Sequence, residues 1–127
     1  MAKFYNFKYQ DLKKFSDEAF IRFGFSEKEA EIITDVLLTS DLYGIDSHGL
    51  QRLSRYHKSI ESGMIDIKAK SEIVSETPVS AVIEGNSGMG QVISHAAMSL
   101  AIEKAKAVGM AIVTVRNAFQ YHILTAV

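Results

Sequence analysis

The succession "SAVIE", "GNSGMGQ", a long Ala-rich stretch and "MAIVTV", residues 80–115, limits the possible folds more than any other feature of this chain. Two β-branched runs joined through a glycine-rich turn and a helix-length segment form a βαβ signal, the building block of α/β folds. The helix is expected from about Gln91 to Val108, with Gly109 as its C-terminal stop. An earlier run, "SEIVS", adds a strand, and Pro78 sits between the first two strands as a turn former.

Upstream the periodicity is helical. Leu12, Phe15, Ala19 and Phe23 recur on one face, and Gly24 ends that helix. Ser26 followed three residues later by Glu29 is a capping box. The second helix runs to about Leu42 with Ile33, Val36 and Leu37 inward, and Gly44 closes it. A third helix is expected to begin near Ser47, capped by that side chain, and to stop near Gly63. The chain thus reads as α/β, a three-helix segment leading into an α/β layer. About three strands are too few to cover both faces of a sheet, so the layer reads as incomplete.

Composition removes several function classes. The 127 residues suit one domain or a piece of a larger one. A net charge of −1 provides no basic field for nucleic acid or an anionic membrane surface. Cysteine is absent, which excludes disulfides and thiolate chemistry and fits a reducing cytoplasm. "MAKFYNFKYQ" has no apolar run of signal-peptide length, and no stretch approaches a membrane span. A soluble, cytoplasmic protein is expected.

Chemistry concentrates in "DLYGIDSHGLQRLSRY", residues 41–56. On a helix with His48 as origin, Arg55 falls at roughly −20°, Arg52 at roughly 40° and Tyr56 at roughly 80°. Leu50, Leu53, His57 and Ile60 fall on the other side, at roughly 120–200°. An Arg can grip a carboxylate with two N–H groups, His48 can exchange a proton near neutral pH, and Tyr56 offers a hydroxyl. The set makes a cradle for a small organic acid. The same pattern also describes an ordinary solvated helix face, and periodicity does not choose between them.

"DLYGIDSHGLQRLSRY", "SETPVSAVIEGNSGMGQ", the "AM…AI…A" helix and "VRN" together resemble, in the same order, the malate/L-lactate dehydrogenase family. That family is distinct from the Rossmann-type lactate and malate dehydrogenases. The resemblance runs almost continuously over residues 8–117 and its "DSHG…R…Y" motif is specific. It implies a sulfolactate dehydrogenase-like fold, here truncated. Residues 1–70 would be a helical segment carrying substrate-side residues, and 71–127 the start of an NAD(P)-binding domain. It implies a dimeric enzyme that moves a hydride between NAD or NADP and C2 of a 2-hydroxy or 2-oxo acid. By position Ser47 and His48 would lie in the active-site wall beside the nicotinamide, with His48 also a catalytic candidate. Arg52 would hold the substrate carboxylate and Tyr56 would help line the pocket, while Arg55 has the weaker claim.

The family's acid/base histidine is expected in a segment Arg-Asn-Ser-x-His after the last strand. Arg116 and Asn117 match, but Ala118 replaces the serine and Gln120 stands at the histidine's place. Glutamine carries no titratable proton. His122 is the local substitute, though on an extended backbone it would lie about 7 Å further along. With the agreement read as ending at Asn117, a truncated chain that is inactive alone is expected. The alternatives are a non-catalytic interaction or dimerisation module, and a cofactor-free binder of small acids. "GNSGMGQ" lacks the dinucleotide spacing and reads as a tight strand-to-helix turn, with a phosphate cradle as the alternative. His95 reads as a packing or surface residue, Met64, Met89, Met98 and Met110 as core filler, and no histidine pair has metal-ligand spacing.

Overall fold

The computed structural model describes residues 5–119. These form α1 (Tyr9–Phe23), α2 (Glu27–Leu42), two single 3-10 turns (Asp46–His48 and Leu50–Arg52), and α3 (Leu53–Glu61). β1 (Glu72–Glu76), β2 (Ser80–Glu84), α4 (Gly90–Val108) and β3 (Ile112–Arg116) follow, giving the expected mixed α/β architecture. The chain divides into two compact units, Met1–Ser54 and Arg55–Val127.

In the first unit, α1 ends at Gly24, whose φ of 107° is a left-handed conformation open to glycine at little cost. Phe25 N–H then bonds back to the Phe20 carbonyl at 3.2 Å. The capping box at Ser26 and Glu29 is present in both directions and starts α2. The buried face of α1 is carried by Ser16 and Phe20 rather than by the expected stripe, and Phe15 is 57% exposed. The reason is a polar pair that hydrophobic periodicity passes over. Thr34 Oγ1 donates to Ser16 Oγ at 2.9 Å in the buried α1–α2 seam, so two hydroxyls satisfy each other where apolar residues were looked for. Phe20 meets Phe23 and Phe25 edge-on, and Ile33, Leu37 and Leu38 complete the buried set.

The second unit contains the βαβ element. β2 pairs in parallel with β3, Ser80 opposite Ile112 through Glu84 opposite Arg116, and β1 is antiparallel to β2. The β1–β2 turn is closed by Thr77, whose N–H bonds to the Ser80 carbonyl and whose Oγ1 accepts from Ser80 N–H. α4 crosses over as required, ending at Gly109 with φ 92°. Ile83 of β2 packs with Ile93 and Ala97 of α4, with Val113 and Val115 of β3 against them. The run "MAIVTV" is not a buried strand: Ile112 is 60% exposed, since β3 alternates between exposed and half-buried positions. Of the four methionines read as core filler, Met89 is buried, whereas Met64 and Met110 are exposed. His95 is exposed.

The expected third helix is shorter than periodicity suggests. Residues 46–52 make two 3-10 turns, and α-helix begins only at Leu53. Ser47 caps nothing; its Oγ is engaged by His48 instead. The wheel drawn from His48 therefore does not apply over residues 46–52. Tyr56 is 1% exposed; its hydroxyl accepts Gln91 Nε2–H at 2.7 Å and its ring lies edge-on to Phe119. Replacing Tyr56 with Phe leaves the buried Gln91 amide without this acceptor. The expected loss is about 1–3 kcal/mol in the denaturation of the second unit, and Tyr56→Phe unfolding at the wild-type denaturant concentration would show the bond to be immaterial.

Candidate functional site

The residues of the opening motif lie on the segment that leaves α2. α2 stops at Tyr43, and Gly44 turns the chain at φ 73°. Gly44 N–H bonds to the Asp41 carbonyl at 3.0 Å and Ile45 N–H to the Ser40 carbonyl at 2.9 Å, which ties the exit to the last turn of the helix. His48 N–H then bonds to the Ile45 carbonyl, Gly49 N–H to the Asp46 carbonyl, and Arg52 N–H to the Gly49 carbonyl. Each 3-10 turn is thus closed by its own short-range bonds.

The side chains are arranged on this frame. Ser47 Oγ and His48 Nδ1 are 2.7 Å apart, a hydrogen bond that orients the ring. Arg52 Nε donates to the Ser47 carbonyl, folding the guanidinium back over the turn that holds His48. Among the described residues no acceptor is taken by the Arg52 Nη groups, the pair suited to a two-pronged grip on a carboxylate. His48 and Arg52 are half-buried, whereas Ser47 and Arg55 are exposed. Ser47, His48 and Arg52 are therefore brought together. Tyr56 belongs to the second unit, buried and bonded to Gln91.

Asp41 was not singled out by its sequence, and its side chain links the end of α2 to the second 3-10 turn. Its Oδ2 accepts Leu50 N–H at 2.9 Å, the first N–H of the second 3-10 turn. A Cβ placed on Gly49 would come within 1.6 Å of Asp41 Oδ1, so the carboxylate occupies the space that a glycine leaves. Burial raises the Asp41 pKa above the ordinary aspartate value; the Leu50 N–H opposes that shift, and the nearby Asp46 charge adds to it.

In the second unit the C-terminal ends of the parallel strands meet. Glu84 Oε2 accepts from Arg116 Nε at 2.7 Å and from Asn117 Nδ2 at 3.1 Å. The Asn117 amide, and then the Arg116 guanidinium, hold the Glu84 carboxyl below its ordinary value. The turn "GNSG" is committed to this same segment. Gly85 N–H bonds to the Arg116 carbonyl, Ser87 N–H to the Asn117 carbonyl, and Gly88 accepts Phe119 N–H. Gly85 is there for close packing: an added Cβ would lie 2.9 Å from Ala118 Cβ. With its donors turned inward, this turn does not form a phosphate cradle, and the tight-turn reading is the one its geometry fits. Gln120 and His122 lie outside the described residues. Among the described residues no group of three His, Asp or Glu side chains is placed to hold a metal ion, and no helix is long and apolar enough to cross a membrane.

The family model for malate/L-lactate dehydrogenase matches residues 7–127, past Asn117, where agreement by motif was read as ending. Malate dehydrogenase of Pyrococcus abyssi is 43% identical over 113 residues, 89% of this chain and 31% of its own length. L-sulfolactate dehydrogenase of Methanocaldococcus jannaschii is 41% identical over 116 residues, 91% of this chain and 34% of its own. The solved malate dehydrogenase from Pyrococcus horikoshii OT3 superposes with a TM-score of 0.88 at 38% identity, over 95% of this chain and 36% of that one. The chain thus spans about a third of the length of the curated relatives it matches.

The two shifted carboxyls predict opposite responses to pH. For Asp41 the folded pKa is raised, so its contribution to stability is present below the ordinary aspartate value and lost as pH rises through the raised one. Asp41→Asn should therefore gain on wild type between acid and neutral pH. For Glu84 the folded pKa is lowered, so its contribution is present above the ordinary glutamate value and lost as pH falls through the lowered one. Glu84→Gln should accordingly lose ground to wild type over the same rise. Thermal unfolding at a series of pH values measures both slopes, and slopes of the same sign would contradict the assignment.

Proposed function

Because the chain belongs to the malate/L-lactate dehydrogenase family, we propose that it carries the substrate side of an NAD(P)-dependent oxidoreductase acting on 2-hydroxy acids, with hydride transfer at C2. The observation that carries this reading is the Ser47–His48 hydrogen bond of 2.7 Å beside an arginine folded onto the same turn. A 2-oxo acid presents a carboxylate next to a carbonyl. Arg52 Nη groups suit the first and an imidazole suits the second, and the two side chains are on adjoining turns.

The roles follow from donor chemistry. Arg52 holds the carboxylate and so orients C2. His48, in its imidazolium form, gives a proton to the C2 oxygen on reduction and recovers it on oxidation. Ser47, hydrogen-bonded to Nδ1, orients the imidazole for that exchange. Ser47 and His48 would also face the nicotinamide. Tyr56, buried and held by Gln91, serves as a support, and His122 is proposed only as a substitute acid/base residue for Gln120. The hydride itself comes from the nicotinamide. The glycine-rich turn spends the Gly85 and Ser87 N–H groups on the Arg116 and Asn117 carbonyls, so it is not proposed as a dinucleotide cradle.

We further propose that the working enzyme is a homodimer in the cytoplasm, and that this chain by itself binds the acid but does not turn it over. Malate and sulfolactate dehydrogenases among the relatives support a small 2-hydroxy acid as the substrate class. Arg52→Ala should weaken oxalate binding at least about tenfold, the loss of about 1.4 kcal/mol or more expected for a charge-assisted pair, with Arg52→Lys recovering part of it. Titration calorimetry decides this: equal affinities in the wild type and the alanine variant reject the carboxylate site. Sustained NAD(P)H oxidation with oxaloacetate by the purified chain, abolished by Arg52→Ala, would overturn the claim that it needs the rest of a longer enzyme.

A further inference from the structure

Ser47, His48 and Arg52 sit on two consecutive 3-10 turns, which must be held in one arrangement for their side chains to act together. A 3-10 turn has poorer hydrogen-bond geometry than an α-helix and occurs in short pieces, as connectors and at helix ends. The first turn is continuous with the exit of α2. The second, which carries Arg52, begins at Leu50, and an N–H in that position has no partner within its own turn.

We propose that Asp41 is the positioning residue of this site, acting from the last turn of α2 to set Arg52 and His48 relative to each other. Three observations converge on it. Asp41 Oδ2 accepts Leu50 N–H at 2.9 Å across nine residues, so the second turn is anchored to a regular helix. The carboxylate sits where Gly49 has no Cβ, a fit in which any larger residue would collide at 1.6 Å. Arg52 Nε in turn donates to the Ser47 carbonyl, so a shift at Leu50 is passed through Arg52 to the residue whose hydroxyl holds His48. The carboxylate contacts no ligand in this scheme; it sets the register of residues that do.

The inference rests on the reading of Arg52 as the carboxylate ligand, and its test separates the two. Isotopically labelled wild type, Asp41→Asn, Asp41→Ala and Gly49→Ala are compared by the His48 ring-nitrogen shifts, the Leu50 amide shift and the affinity for oxalate. Asp41→Asn keeps an oxygen for Leu50 N–H and should retain the His48 Nδ1 signature and bind within about threefold of wild type, a difference of well under 1.4 kcal/mol. Asp41→Ala should lose both the signature and at least about tenfold in affinity. Gly49→Ala, which displaces the carboxylate without changing its charge, should do the same and decides the matter if Asp41→Ala fails to fold. Wild-type His48 and Leu50 shifts in either alanine variant would overturn the proposal. If oxalate binding proves insensitive to Arg52→Ala, the carboxylate reading falls, while the ring-nitrogen shifts still judge Asp41.

Discussion

The backbone N–H of Leu50 needs an acceptor that its own turn cannot supply, and the carboxylate of Asp41 supplies it. The arrangement of the motif residues depends on that bond. It costs the partial burial of a charge, visible as the raised pKa of Asp41, a cost that the Leu50 N–H offsets only in part. It also requires a glycine opposite. The "G" of "DSHG" is therefore not there for an unusual torsion, since φ at Gly49 is −91°; it is there for room.

Much of the fold was legible because the relevant signals are local. The capping box at Ser26, the stops at Gly24 and Gly109, and the strand–turn–helix–strand succession each rest on neighbours within a few residues, and each is present. What was not legible depends on partners far along the chain. Ser16 is buried because Thr34 answers its hydroxyl, and Tyr56 because Gln91, 35 residues on, meets its own. A helical wheel contains neither fact. It also assumes an unbroken helix, whereas residues 46–52 form two 3-10 turns.

The candidate site divides in the same manner. His48, Ser47 and Arg52 could be picked out by residue type, and the structure groups them. Asp41 could not, because a carboxylate near the end of a helix has many uses and nothing in its spacing points to Leu50. A joint reading of Asp41 and Gly49 would have been the available signal. The turn at residues 85–88 teaches the complementary lesson: glycines that suggest an approach to phosphate are explained by the approach of the chain's own residues 116–119. Glycine marks a place where something comes close, and only the surroundings say what.

The separation in sequence between partners has a bearing on how the molecule is made. Every hydrogen bond described for the segment bearing His48 and Arg52 is formed with residues 39–52, whereas the parallel ladder joins Ser80 to Ile112 across a whole helix. Short loops close early and long ones late. On a chain growing from its N-terminus, the described hydrogen-bond partners of the turns at residues 46–52 are therefore present while the strand that completes the sheet is still being synthesised.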